Sequence, residues 1–296
     1  MTVLLTGATG LIGARLLPRL VDAGFRCRAL LRPGKEVPAG MVWAEGNLLD
    51  TASLASAVEG ISAVVHLAAV FRTPDTDLIW RSNLEGTRNL IASVKAHAPE
   101  ARFILASTSN IYDADSPRPG REDDAADPQQ AYPASKLAAE NALRESGLNW
   151  SIQRLGFVYG EKDGHLEELP RLVANFKMHP AQRMSIIHHR DIATAMTLAL
   201  TGAMDARIVN IADEAPTSIY ELVALVGGTH GTVLNAAGQS LAPPHGCLAR
   251  SQSWFSAGRE NRLSGRAGKP DVMRAGGSRV SSISLTPGHP GTYFAA

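Results

Sequence analysis

Cysteine is nearly missing from this chain: Cys27 and Cys247 are its whole complement, far apart and outside any C-x-x-C spacing. That excludes a disulfide framework and a zinc-thiolate site, and it fits a reducing compartment. No excess of charge of one sign is present either, the formal net charge being +1. No basic field therefore draws nucleic acid, and no acidic surplus marks a disordered or cation-loaded chain. No uninterrupted apolar run reaches membrane-spanning length. The first apolar strand begins at residue 2, with no room ahead of it for a charged and apolar leader. These absences predict a cytoplasmic protein whose partners are small molecules, with no nucleic acid and no membrane among them. What the chain does have is apolar mass, 45% of 296 residues, enough to bury one large core or a nucleotide domain with a smaller one beside it.

The most informative segment comes first. Val3-Leu4-Leu5-Thr6 runs into Gly7-Ala8-Thr9-Gly10-Leu11-Ile12-Gly13, and Ala14-Arg15-Leu16-Leu17 follows at helical spacing. This is a strand, a glycine turn and a helix start. Gly7 lets the backbone turn sharply, Gly10 removes a side chain from the path of a pyrophosphate, and Gly13 lets helix and strand pack closely. The helix N-terminus then offers N–H groups and positive dipole to phosphates. Gly7, Thr9, Gly10, Leu11, Ile12 and Gly13 are thus the expected phosphate-binding segment.

Further along, strands and helices alternate. Strands are expected at Arg26–Leu31, Val42–Glu45, Ala63–Leu67, Phe103–Ala106 and Trp150–Leu155. Helices are expected over Leu16 to Val21 with Gly24 as its stop, from Thr51 to Glu59 with Thr51 as cap, from about Asp77 to His97, and from Ala134 to Ser146. Continuous apolar strands separated by helices mean a parallel sheet covered on both faces, an α/β doubly wound Rossmann fold. Residues 1–160 read as the dinucleotide-binding domain and 161–226 as a small C-terminal substrate lobe interleaved with it. That lobe would hold a helix from His189 to Gly202, a strand at Arg207–Ile211, and a helix opened by a Ser218/Glu221 capping box.

From 227 to 296 the grammar stops. Arg250, Arg259, Arg262, Arg266, Lys269, Arg274 and Arg279 stand against only Glu260 and Asp271, in sequence rich in Gly, Ser and Pro. Three readings compete: a disordered extension, a nucleic-acid arm that the dispersed charges disfavour, and a shifted reading frame of a GC-rich gene. The abrupt change in mid-helix fits the shifted frame best. Such a frame would leave the lobe open and give a cofactor-competent, poorly active, aggregation-prone protein. An uninterrupted frame on resequencing the gene removes that reading.

Tyr132-Pro-Ala-Ser-Lys136 places a phenol and an ammonium four residues apart at a helix start, on one face. A phenol of ordinary pKa about 10 needs a neighbouring cation to exchange a proton near neutrality. Ser107-Thr108-Ser109, at the end of the fifth strand, puts hydroxyls where an open parallel sheet exposes its ligand. Cofactor choice follows from charge. The end of the second strand carries Arg32 with no acid before Glu36, which favours the 2′-phosphate of NADP over NAD, with Arg15 a second candidate. Gln153, Arg154, Lys162, His165, Arg183 and His188 are polar groups open to either a substrate-lining or a plain structural role. Adjacent His188 and His189 face different ways on a helix, so no metal site is expected.

Together these residues resemble the extended short-chain dehydrogenase/reductases, the NAD(P)-dependent epimerase/dehydratase family. The likeness runs from Met1 to about Val226. It is carried by the Thr6-to-Gly13 turn, His66-Leu67-Ala68-Ala69, Asn83-Leu84-Glu85-Gly86-Thr87, Ser107 to Tyr112, Tyr132/Lys136, Arg154 to Gly160 and His188-His189-Arg190-Asp191. The resemblance implies Tyr132 as acid/base, Lys136 as the group that lowers its pKa and holds the nicotinamide ribose, Thr108 as the hydroxyl orienting the substrate oxygen, and Asn83 as a helix asparagine serving packing and the site. It also implies cofactor contacts from Asn47-Leu48 and from Leu67, Ala68 and Ala69, and a homodimer built through the two long helices. The expected function is hydride transfer between NADP(H) and a small carbonyl or secondary alcohol. The alternatives are an epimerase or dehydratase of a sugar nucleotide and a non-catalytic NAD(P)-sensing regulator, the last opposed by an intact Tyr/Lys pair.

Overall fold

The computed structural model describes residues 1–35, 41–113, 116, 118–176 and 178–227. The expectations for Glu36, Cys247 and the tail after 227, a shifted frame among them, lie outside the described residues.

Alternation of side chains along short apolar segments builds a sheet with two greasy faces. In β1 (Thr2–Thr6), Val3 and Leu5 enter one core and Leu4 the other. Six more strands join it in parallel: β2 (Arg26–Leu31), β3 (Trp43–Glu45), β4 (Ala63–His66), β5 (Arg102–Thr108), β6 (Trp150–Leu155) and β10 (Arg207–Ile211), in the order β10-β6-β5-β4-β1-β2-β3. The doubly wound sheet is therefore present. The chain runs outward from β1 through β2 to β3, then crosses to β4 on the other side of β1. The crevice at such a reversal is where this architecture receives a ligand.

Helices close both faces. On one lie α1 (Gly13–Asp22), through Leu16, Leu17 and Leu20, and α7 (His189–Leu200), through Ile192, Met196 and Ala199. On the other lie α2 (Thr51–Val58), α4 (Gly86–His97) and α5 (Ala131–Arg144), contributing Leu54, Leu90, Val94 and Leu143. Among the described residues no helix is long and apolar enough to cross a membrane.

The helices differ from expectation at three points. Asp50, not Thr51, caps α2, its carboxylate accepting from the Ala52 N–H at 3.2 Å. α5 begins at Ala131, which sets Tyr132 in its first turn. The long helix expected from Asp77 is α3 (Thr76–Trp80), a π turn at Arg81–Glu85, and then α4. The wider turn lets the Asn83 side chain reach the chain leaving β4, a tertiary demand that periodicity does not encode.

The described chain forms two units, one of Met1–Asp163 with Met184–Pro216 and one of Gly164–Arg183 with 217–227. The first holds the sheet and also β7 (Phe157–Tyr159), paired in parallel with β9 (Ile186–His188). Residues 161–226 are thus divided, the part that forms α7 and β10 returning to the sheet. In the second unit α6 (His165–Phe176) packs against α8 (Ile219–Leu225). The expected capping box opens α8: Ser218 Oγ accepts from the Glu221 N–H at 3.2 Å and Glu221 Oε2 accepts from the Ser218 N–H at 3.0 Å. The short strands β8 (Arg183–Met184) and β11 (Thr217–Ser218) complete the elements.

Two glycines fix the turn after β1. Gly7 has φ 70°, and a Cβ there would lie 2.8 Å from the Ala68 nitrogen at the end of β4. At Gly13 a Cβ would meet the Gly7 carbonyl oxygen at 2.1 Å and the Ala8 Cα at 2.7 Å. Both obstacles are backbone, so relief requires α1 to move. Gly13→Ala is expected to destabilise the fold by about 1–3 kcal/mol and to weaken dinucleotide binding with it, measured as a lower urea midpoint and a smaller cofactor-induced thermal shift.

Candidate active site

The phosphate end of the site is backbone. The Gly10 N–H donates to the Gly7 carbonyl at 2.9 Å and the Ala14 N–H to Gly10 at 2.9 Å, while Thr9 and Gly10 are exposed and Leu11 and Ile12 half-buried. No side chain caps α1 and no acid stands in its first turn. Its dipole is therefore uncompensated where a diphosphate would lie. These features fit a dinucleotide. Arg32 is exposed just past β2. Arg15, the second candidate, donates instead to the Leu11 and Glu161 carbonyls at 3.0 and 3.2 Å. Asn47 Oδ1 already accepts from the Leu49 N–H at 3.1 Å, and Leu48 packs on Gly86 while its carbonyl accepts from Asn89 at 2.9 Å.

Below the crevice a hydrogen-bonded file ties β1, β4 and α4 together. The Ala68 N–H donates to Thr6 Oγ1 at 3.2 Å, and Thr6 Oγ1 lies 2.6 Å from His66 Nδ1. On the other side His66 Nε2 lies 2.9 Å from Thr87 Oγ1, which donates to the Asn83 carbonyl at 2.6 Å. Only one proton arrangement satisfies every atom: His66 neutral, accepting at Nδ1 and donating from Nε2. Burial and the nearby Lys136 charge push its pKa down to about 3. Asn83 is fully buried. Its amide accepts from the Val70 N–H at 2.7 Å and donates to the Val70 carbonyl at 2.9 Å and to Ser135 Oγ at 3.0 Å. Ser135 Oγ donates to the Tyr132 carbonyl at 2.7 Å. Asn83 thus clamps the chain carrying Leu67, Ala68 and Ala69 to the first turn of α5.

The reacting end is where β5 meets α5. Tyr132 hydrogen-bonds through its side chain with Thr108, and burial pushes its phenol up to about 12 against the opposing pull of Thr108 and of Arg72. Lys136 is 2% exposed, and burial brings its ammonium down to about 8 although Glu140 favours the charged form. Its charge acts on His66 and is favoured by the charge of Glu140, one turn further along the same helix. Arg72, on the chain leaving β4, is a cation whose charge bears on the phenol.

Glu140 in turn holds Arg154 at 2.7 Å, with side-chain exposures of 1% and 4%, and accepts from Ser107 Oγ. Arg154 Nη1 also donates to Tyr112 Oη at 2.8 Å and to the Glu122 carbonyl at 3.1 Å, and Tyr112 Oη donates to Asn210 Oδ1 at 2.7 Å. Arg154 is therefore a core group, as is Gln153, which donates to the Ala195 carbonyl at 3.0 Å. His188 caps α7, its Nδ1 accepting from the Arg190 N–H at 3.2 Å, and His189 pairs with Asp163 at 2.8 Å. Among the described residues no cluster has the makings of a metal site. The structure joins Thr108, Tyr132, Lys136 and Asn83, and it adds Glu140, Ser135, Phe71 and Arg72. The spacing Tyr132, Lys136, Glu140 could have revealed Glu140; no sequence signal marks Arg72.

Comparison with known proteins agrees with this fold. The family model described as NAD dependent epimerase/dehydratase family matches residues 3–212. The chain is 26% identical over 255 residues to a 4-hydroxy-2-methyl-3-oxo-4-farnesyl-3,4-dihydroquinoline-1-oxide ketoreductase of Stigmatella aurantiaca, covering 78% of this chain and 74% of that protein. It is 30% identical over 184 residues to the N-acetyl-alpha-D-glucosaminyl-diphospho-ditrans,octacis-undecaprenol 4-epimerase of Escherichia coli O157:H7, covering 59% and 54%. Among solved structures, MoeE5 in complex with UDP-glucuronic acid and NAD superposes with a TM-score of 0.65 at 25% identity, over 77% of this chain and 83% of that one. Several curated relatives are matched over less than two thirds of their own length, at 61%, 59% and 47%.

The buried neutral His66 gives a pH signature. Its pKa is depressed from the ordinary 6.5 to about 3, so between those values the unfolded chain binds the proton that the folded one refuses. This contribution to stability is full above pH 6.5 and is lost as pH falls toward 3. The stability of His66→Asn is expected to fall less steeply than that of wild type between pH 6.5 and 4, measured by urea unfolding at each pH.

Proposed function

The chain belongs to the NAD dependent epimerase/dehydratase family, and from that premise we propose that it carries out oxidation and reduction at a secondary alcohol carbon of a nucleotide-linked sugar. It is an NAD(P)-binding enzyme of the extended short-chain dehydrogenase/reductase type. The observation that carries the proposal is the Tyr132 phenol, hydrogen-bonded to Thr108 at the carboxyl end of β5 and seated above a buried Lys136–Glu140–Arg154 charge cluster. Gly7 to Gly13 would hold the diphosphate of the dinucleotide, Leu67 to Ala69 would border it, and Lys136 would meet the nicotinamide ribose. The dinucleotide supplies the site with a hydride acceptor and donor. Tyr132, protonated at neutral pH, donates to the substrate oxygen as a carbonyl is reduced and takes the proton back in the reverse direction. Thr108 orients that oxygen and steadies its developing charge. The MoeE5 complex and the Escherichia coli 4-epimerase support the sugar-nucleotide class.

A second reading, net reduction of a small carbonyl with NADPH, is favoured by Arg32. An exposed cation at the end of β2 suits the 2′-phosphate of NADP. The ketoreductase of Stigmatella aurantiaca supports it.

Thermal unfolding with NAD, with NADP and with neither is the primary test, since a ligand at 100 times its Kd stabilises by about 2.7 kcal/mol. A larger shift with NADP is expected from Arg32, and the absence of any shift removes the dinucleotide site. Tyr132→Phe is expected to keep the cofactor shift while turnover of UDP-glucose, followed by sugar analysis, drops about 100-fold or more; most of the turnover surviving would place the acid elsewhere.

A further inference from the structure

The chain leaving β4 carries a residue that the reaction scheme has not used. Arg72 sits at φ 57°, a left-handed backbone uncommon for a side chain of its size and kept where its surroundings enforce it. Its guanidinium carbon lies 5.1 Å from the centroid of the Phe71 ring. That ring lies 5.6 Å from the Tyr132 ring, tilted by 42°. The three side chains form a file ending on the phenol. Cation–π contact braces the guanidinium without neutralising it. Among the described residues Arg72 makes no ion pair, and it is exposed, as is the Phe71 ring at 46%.

The other cations near the reacting end are buried: Lys136 is 2% exposed, and Arg154 is enclosed by Glu140, Tyr112 and the Glu122 carbonyl. Arg72, by contrast, is exposed to solvent while its charge bears on Tyr132. A guanidinium fork is the best match for a carboxylate, which it can hold through two parallel hydrogen bonds. The diphosphate of a nucleotide sugar is remote from the sugar carbon that reacts. Arg72 and Tyr132 both lie against the Phe71 ring, so a group held by the guanidinium is separated from the phenol by one aromatic side chain.

We propose that Arg72 is a specificity-determining residue that receives a carboxylate carried by the sugar near its reacting carbon, so that the enzyme selects an acidic, uronate-type sugar nucleotide over its neutral counterpart. Phe71 supplies the apolar floor beside that carboxylate, and the strained backbone aims the fork at it. The proposal rests on the sugar-nucleotide reading above.

The test is a matched pair of probes that differ at one carbon: UDP-glucuronic acid and UDP-glucose, titrated calorimetrically into the full chain with NAD or NADP present. Wild type is expected to bind the uronate about tenfold tighter or more, and added salt to narrow the ratio. Arg72→Gln is expected to bring the ratio close to one. Arg72→Gly, which also releases the left-handed backbone, should do the same with an unfolding midpoint no lower than that of wild type, separating a lost charge from a damaged fold. Equal binding of the two probes by wild type, or a preference that survives in both variants, overturns the proposal and leaves the sugar-nucleotide reading standing. Failure of wild type to bind either probe overturns that reading, and the proposal with it.

Discussion

The whole site depends on how closely the carboxyl ends of β1 and β4 approach one another. A side chain at Gly7 would strike the backbone at Ala68, so at this point the two chain segments approach backbone to backbone. Burial of His66 between Thr6 and Thr87 makes that contact rigid. The imidazole stays uncharged because it is fully buried and the Lys136 charge disfavours a second proton, and as a neutral ring it can accept from one threonine and donate to the other. Replacing either threonine would leave a polar ring atom stranded in a core where such atoms are costly.

A second layer hangs on the first. The Thr87 hydroxyl rests on the Asn83 carbonyl, and the Asn83 amide clasps Val70 and Ser135. The π turn that interrupts the long helix is the local adjustment that lets Asn83 make these bonds. Through Ser135 the clasp reaches the Tyr132 carbonyl. The position of the phenol is therefore set by residues from β1, β4, the π turn and α5. Asn83 holds the backbone at Val70 against the first turn of α5.

Charge is handled along one face of α5. Lys136 and Glu140 are one turn apart and both buried, and Arg154 from β6 completes the cluster. Buried charges seldom stabilise a fold by themselves, because desolvation offsets much of the attraction. Here they hold β5, β6 and α5 in register beneath Tyr132 and Thr108, with Ser107 and Tyr112 satisfying the remaining hydrogen-bonding capacity. That network explains why Arg154, a polar residue beside the crevice in sequence, is closed to substrate.

The amino-acid sequence by itself determined the strand-glycine-helix opening, the parallel sheet with helices on both faces, the capping box at Ser218, and Tyr132 with Lys136 on one helix face. Each follows from local rules: backbone freedom at glycine, periods of 2 and 3.6, and hydrogen-bonding groups a few residues apart. Only the tertiary structure decided that Arg72 and Tyr132 share the Phe71 ring, that Arg154 is core, that Asn83 clamps Val70, and that the long helix opens into a π turn. Those outcomes depend on which distant segments share a buried volume, and the energy of a buried charge or amide is set by neighbours that sequence spacing does not name.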